Sequence, residues 1–301
     1  MKVSKAAWLH LFFKLLMIII CLCMINSSVI YSQTTGEKMA AEYAKQYPFI
    51  SLTDTIYTFE TEFTFPEGYS RVDPSKLTDF QSWVSHIPIW HRYKAVGIWK
   101  GDKAFERDEV SRVVHVPWRG QNHTDVGFPL RIFSEYYRLH NKDFDFKVTP
   151  KKGEQMTYEK WLKSDFRLGP MGDVKLIPSS QRDSSASEFY KFLNMAMQHT
   201  NYKSLADNCD SLSINDLAPG DLIIAHDEKS KKGKAYFVLN IIENNDGKKL
   251  YALATGCEEA CDFHIPLFNL DRNFPWINTE RINKIMAEYP QSGFFRWRLK
   301  L

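Results

Sequence analysis

The 301-residue chain has only five cysteines, and none falls between Cys23 and Cys209. A thiol nucleophile anywhere in that stretch is therefore excluded. The chain also lacks a surplus of charge: 39 basic residues stand against 36 acidic ones. Three of the basic residues, Lys2, Lys5 and Lys14, lie within the first 32 positions, which carry no acid, and the remainder is formally neutral. No basic stripe of the kind that holds nucleic acid is left. There is no Gly-rich phosphate loop, no dinucleotide-binding glycine motif and no internal repeat. The longest apolar run near the start, Leu15 to Ile25, is about a dozen residues, short of the roughly 20 that span a membrane.

That run does sit in a meaningful order. Lysines precede it, and Ser27, Ser28 and Ser32 follow it. Basic, then apolar, then small and polar predicts a signal peptide over residues 1–32, cut between Ser32 and Gln33, and export to the periplasm or the exterior. An uncleaved N-terminal membrane anchor is the alternative, because Val29 to Tyr31 lengthens the span. A lipoprotein is disfavoured, since neither Cys21 nor Cys23 follows small residues. Residues 33–54 read as a leader, and 55–301 as one domain long enough to bury a core.

Beyond the leader, Cys209, Cys257 and Cys261 remain. In an exported protein two of them can pair, with one left over. Cys257, Cys261 and His264 also form a C-x3-C-x2-H string, which zinc could use with Cys209 as a fourth ligand. One isolated knuckle is better read as a disulfide or as buried thiols, and no metal or cofactor is expected.

Along the chain, Thr55 to Phe65 alternates as a strand would, and Thr78-Asp79-Phe80-Gln81 is a capping box opening a helix with Phe80, Trp83, Val84 and Ile87 inward. Tyr93 to Lys100 and Val110 to Pro117 read as strands. A helix follows from Thr124 or Asp125 to His140, with Pro129 tolerated in its first turn. Tyr158 to Lys163 and Glu188 to His199 are helical, and residues 165–187, without apolar periodicity, read as an inserted surface loop. From Gly220 the pattern changes to strands at 222–225, 235–242, 250–254 and 263–267, with a hairpin turn at Asn244-Asn245-Asp246-Gly247. Helices first and strands later is an α+β order.

Several segments in order resemble a secreted bacterial family known as domain of unknown function 4846. They are Phe65 to Val72, Phe80 to Val84 through Ile89, Trp99 to Lys103, Leu130 to Tyr136, and Tyr158 to Trp161. Gly220 to Ile224, Leu253-Ala254, His264-Ile265 and Pro275-Trp276 continue the series. That family's pattern in turn resembles papain-like cysteine hydrolases of the cell-wall amidase and peptidase type. The resemblance implies a papain-like arrangement, N-terminal helices packed on a C-terminal antiparallel sheet. It also implies a cysteine opening the helix that ends in Glu-Tyr, a histidine opening the strand after Gly-Asp, and a third polar residue after Leu-Ala. A helix start lowers a thiol's pKa, and a neighbouring imidazole completes its activation.

In this chain those three places hold Asp125, Lys234 and Thr255. The resemblance therefore implies a cleft lined by Thr124, Asp125, Lys234, Tyr236, Thr255 and His264, without cysteine chemistry. The expected role is a binding or assembly module for a cell-envelope peptide, glycan or protein, with no nucleic-acid partner and membrane contact only through the leader. The competing reading is an envelope hydrolase with a non-cysteine site at Asp125 and Lys234, aided by His123 or His226. The tryptophans could stack sugars but are better read as packing. Glu258-Glu259 shows no second carboxylate at a defined separation for glycoside hydrolysis.

Overall fold

The computed structural model describes residues 39–101, 109–117 and 120–299. The expected signal peptide, residues 1–32, lies outside them. Among the described residues no helix is long and apolar enough to cross a membrane. Residues 39–46, helix α1, and 50–56 belong to a small unit of their own.

The main unit takes in residues 47–49 and 57 onward. It begins with the helical turn α2 (Phe59–Glu62), β1 (Tyr69–Arg71), α3 (Asp79–Ser85), β2 (Val110–Val113) and α4 (Gly127–Leu139). The short pair β3 (Lys147–Val148) and β4 (Met156–Thr157) leads to α5 (Tyr158–Leu162) and the hairpin β5 (Ser164–Leu168) and β6 (Val174–Pro178). Helices α6 (Ala186–Gln198) and α7 (Tyr202–Asp207) precede β7 (Cys209–Leu212), β8 (Leu222–His226), β9 (Gly233–Asn244) and β10 (Lys249–Ala254). Last come β11 (His264–Pro266), α8 (Thr279–Met286) and β12 (Gln291–Trp297). This is a mixed helix and antiparallel-sheet, α+β, architecture, as the order of elements in the sequence implied.

The main sheet runs β10-β9-β8-β12-β7, all antiparallel. Strand β9 is 12 residues long. It holds β10 along one edge and divides the other between β8, at Gly233 to Phe237, and β1, at Ile242 to Asn244. Ala235 to Ile242 is buried throughout, and so is Leu222 to Ala225. Long buried runs of this kind, apolar except for Asn240, mark strands covered on both faces. One cover is α8, whose Ile282 and Met286 join Tyr236, Val238 and Leu253 in one cluster. The opposite cover is α4, where Phe133 stacks on Trp297 at 4.6 Å and tilts against Phe237 at 5.9 Å.

Local chemistry explains how the helices are placed. Thr78 Oγ1 accepts the Gln81 N–H while Gln81 Oε1 accepts the Thr78 N–H, the reciprocal capping that starts α3. Glu135 of α4 is paired with Arg131 one turn earlier at 2.6 Å and accepts the Tyr190 hydroxyl of α6 at 2.8 Å, which fixes the two helices together. At the entry to β8, Gly220 has φ +92°, and a Cβ there would lie 2.4 Å from Phe80 Cε1. Only glycine fits both demands. Asp221 beside it accepts two hydrogen bonds from Arg296 of β12, at 2.8 and 2.6 Å.

Three segments depart from the sequence expectation. Within Thr55 to Phe65, α2 forms instead of a strand, because Phe59 and Phe63 are four residues apart and their rings meet at 5.0 Å. Tyr93 to Lys100 makes only the isolated bridge Ile98–Cys261, since the short loop across from it offers no strand partner. Residues 165–187, read as a loop, contain the β5–β6 hairpin; Asp165, Arg167, Lys175 and Ile177 all face solvent, so no apolar alternation marked it.

Candidate functional site

Two side chains hold the turn that leads into α4, whose own N-cap, Val126, has no capping side chain. Thr124 Oγ1 accepts the Gly127 N–H at 3.2 Å, Asp125 Oδ1 accepts the Val126 N–H at 3.0 Å, and Pro129 sits in the first turn. The loop after β10 presses directly on this start. The Asp125 N–H donates to the Cys257 carbonyl at 3.0 Å, and a Cβ on Gly256 would lie 2.7 Å from the Thr124 carbonyl carbon and 2.8 Å from the Asp125 nitrogen. Gly256 is thus the contact that lets two backbones meet.

What that contact brings together surrounds the backbone of one residue of β9, Ala235. Strand β10 ends at Ala254, opposite Phe237, so at Ala235 the edge of β9 away from β8 has no strand beside it. Two side chains take the strand's place. Asp125 Oδ2 accepts the Ala235 N–H at 3.1 Å, and Thr255 Oγ1 donates to the Ala235 carbonyl at 2.8 Å. A buried backbone donor and acceptor must be paired, and here both are paired by side chains rather than by a ladder. The Tyr202 hydroxyl closes the other side of the carboxylate, 3.0 Å from Asp125 Oδ2 and 2.9 Å from the Gly233 carbonyl oxygen.

The site is closed. Asp125 is 3% exposed and Thr255 1%, and His264 and Tyr236 are buried as well. Thr124 and Lys234 are half-buried. Burial pushes the Asp125 carboxyl above its ordinary range, opposed by the Lys234 ammonium and by the donors of Ala235, Tyr202 and Val126. The Lys234 ammonium reaches the Gly256 carbonyl at 3.4 Å. Burial and the Asp125 charge both push the Tyr202 phenol up.

His264 pairs with Thr255 through the backbone in both directions, at 2.8 and 3.0 Å. Its Nδ1 is 2.9 Å from the Asp262 carbonyl oxygen, an acceptor only, so the proton is on Nδ1. Burial depresses the imidazole to about 4, against the help of that carbonyl and with the repulsion of Lys234. Next to it Cys257 and Cys261 are joined in a disulfide, while Cys209 on β7 is a free buried thiol pushed up by burial. The ligand atoms of Cys257, Cys261 and His264 lie within 4.8 Å of one another. Zinc takes thiolates, and sulfurs bonded to each other are not thiolates, so the trio suits a metal only after reduction.

A family model described as domain of unknown function 4846 matches residues 59–300. The chain belongs to this family. No curated protein and no solved structure matches the chain. Membership in the 4846 family is what the ordered segments from Phe65 to Trp276 pointed to.

The sequence singled out Asp125, Lys234 and Thr255; the fold brings Asp125 and Thr255 to the backbone of Ala235, while Lys234 reaches the Gly256 carbonyl. It did not single out Tyr202, Gly256 or the Cys257 carbonyl, which complete the arrangement. Tyr202 opens a short helix after an Asn201 cap and bears no spacing that ties it to Asp125. His226 stacks on the Tyr202 ring at 6.2 Å, and His123 is buried with its ring 5.1 Å from Phe128.

Proposed function

We propose that this member of the 4846 family is an exported, non-catalytic relative of the papain-like hydrolases, acting as a binding or assembly module for a peptide, glycan or protein of the cell envelope. Support for the papain-like arrangement comes from a helix whose start meets an antiparallel sheet at the positions where nucleophile, base and third polar residue would stand. One observation carries the non-catalytic reading. Asp125 and Thr255 are both engaged by the backbone of Ala235, and the carboxylate is buried with donors on both oxygens. A nucleophile or general base needs a free lone pair aimed at a substrate, and Asp125 aims its own at the fold.

The test is to offer the purified protein cell-wall peptides, glycan fragments and simple esters, and to follow both binding and product release. Binding without turnover is the expected result. The enzymatic reading draws on the raised carboxyl of Asp125 beside Lys234. It would be supported by hydrolysis that disappears in Asp125→Asn while the variant stays folded.

A further inference from the structure

A second polar region lies away from Ala235. A cavity of about 560 Å³ opens between α2, the segment His91 to Tyr93, β2 and the loop at Asn273. An adjoining cavity of about 320 Å³ is lined by Arg92, Tyr93, Arg112, Arg272 and Asn273. Three guanidiniums from distant parts of the sequence therefore border one space.

They are not equivalent. Arg112 is 2% exposed and fully engaged. Its Nε donates to Glu62 Oε2 at 2.9 Å, its Nη2 to the Glu62 carbonyl at 2.9 Å and to Asn273 Oδ1 at 3.0 Å, and its Nη1 to the Ser111 carbonyl at 2.9 Å. Glu62 thus balances one positive charge. Arg272 uses one Nη2 bond, 2.9 Å to the Val110 carbonyl, and its Nε is buried without a hydrogen-bond partner. Arg92 forms no ion pair among the described residues; its guanidinium lies 4.9 Å from the ring centre of its exposed neighbour Tyr93. Asp271, the acid next to Arg272, turns its Oδ1 to the Asn273 N–H. Burial depresses the Arg112 pKa, and repulsion from Arg272 and Arg92 adds to that despite the opposing pull of Glu62.

Like charges gathered around one space repel, and an anion seated among them reverses the sign of that interaction. Guanidinium forks match paired oxygens of carboxylates and phosphates better than any other side chain does. We propose that this pocket binds the oxyanion group, phosphate or carboxylate, of a small ligand. Arg92 and Arg272 supply the donors, and Arg112 supplies a fixed positive charge from beneath. The exposed ring of Tyr93 borders the same space and offers a face to the body of the ligand. The site shares no residue with the Ala235 closure, and its standing does not depend on whether that closure is catalytic.

Calorimetric titration of the full chain with inorganic phosphate, and separately with glucuronate, tests the proposal and tells a phosphate source from a carboxylate one. Saturable binding of at least one probe is expected, weakened by added sodium chloride. Arg92→Gln with Arg272→Gln should weaken it roughly tenfold or more through loss of charge-assisted bonds. Arg92→Glu alone, at an exposed position that leaves the fold intact, should abolish it. Absence of saturable binding for both probes, or binding unchanged by Arg92→Glu, would overturn the assignment.

Discussion

Asp125 and Arg112 are both buried charged side chains, 3% and 2% exposed, yet their surroundings differ in kind. Around Asp125 the hydrogen-bond partners are structural donors, two backbone N–H groups and a phenol, and the Lys234 ammonium adds an opposite charge. Around Arg112 the hydrogen bonds are just as complete, but two further guanidiniums border the same space, and neither Arg92 nor Arg272 forms an ion pair among the described residues. The first arrangement is saturated and turned inward. The second is saturated at its base and unsatisfied at its rim. Buried charge of the first kind holds a fold, and charge of the second kind is organised to receive something.

Substitution can break this contrast at the Asp125 end, where the largest effect is expected. Asp125→Ala leaves the N–H groups of Val126 and Ala235 and the Tyr202 hydroxyl without that acceptor. At roughly 1–3 kcal/mol for each buried unpaired group, partly offset by release of the buried charge, the loss should be about 4 kcal/mol in urea unfolding. Asp125→Asn keeps one acceptor oxygen and should lose less.

Acid should act next, through His264. Its folded value of about 4 lies below the ordinary 6.5, so the unfolded chain takes up the proton first as pH falls. Stability should therefore be steady above about pH 6.5 and decline toward pH 4, by roughly 3 kcal/mol in all. Asp125 has the opposite sign: its raised carboxyl contributes below its ordinary 3.8 and that contribution is lost as pH rises through the folded value. His264→Gln should flatten the acid decline, and unfolding free energies measured from pH 4 to 7 will read the difference directly.

Gly256→Ala should follow, at about 2 kcal/mol, because its Cβ meets backbone atoms rather than the yielding end of a side chain. Arg92→Ala is expected to be smallest, within about 0.5 kcal/mol of the wild-type stability, since the guanidinium is exposed and makes no ion pair among the described residues. A large loss there would show that the arginine pocket is structural and would erase the contrast.

The strands of the sheet centre were legible from sequence because burial on both faces leaves long apolar runs, Ile223 to Ala225 and Ala235 to Ile242, the second interrupted only by Asn240. The capping box of α3 was legible because its residues are three apart. Strand β12 was not, although it joins β8 to β7, because its residues alternate weakly between Arg296 and the half-buried Phe294 and Phe295. Asp125, Lys234 and Thr255 could be named from family order alone, but their use could not. That Asp125 and Thr255 stand in for a missing strand depends on β10 stopping at Ala254, a register fact absent from any local pattern. Arg92, Arg112 and Arg272 are spread over the sequence with nothing to group them until α2, β2 and the Asn273 loop fold together.

The Ala235 amide is the most direct probe of the central claim. Bonded to Asp125 Oδ2 at 3.1 Å, it should exchange with deuterated water as slowly as the β9 amides paired with β10. In Asp125→Ala its exchange should accelerate well beyond that of Val238 and Ile242 in the same variant. Rapid exchange of Ala235 in the wild-type protein, or a rate that Asp125→Ala leaves unchanged, would contradict the account and return Asp125 to the list of groups free to act on a substrate.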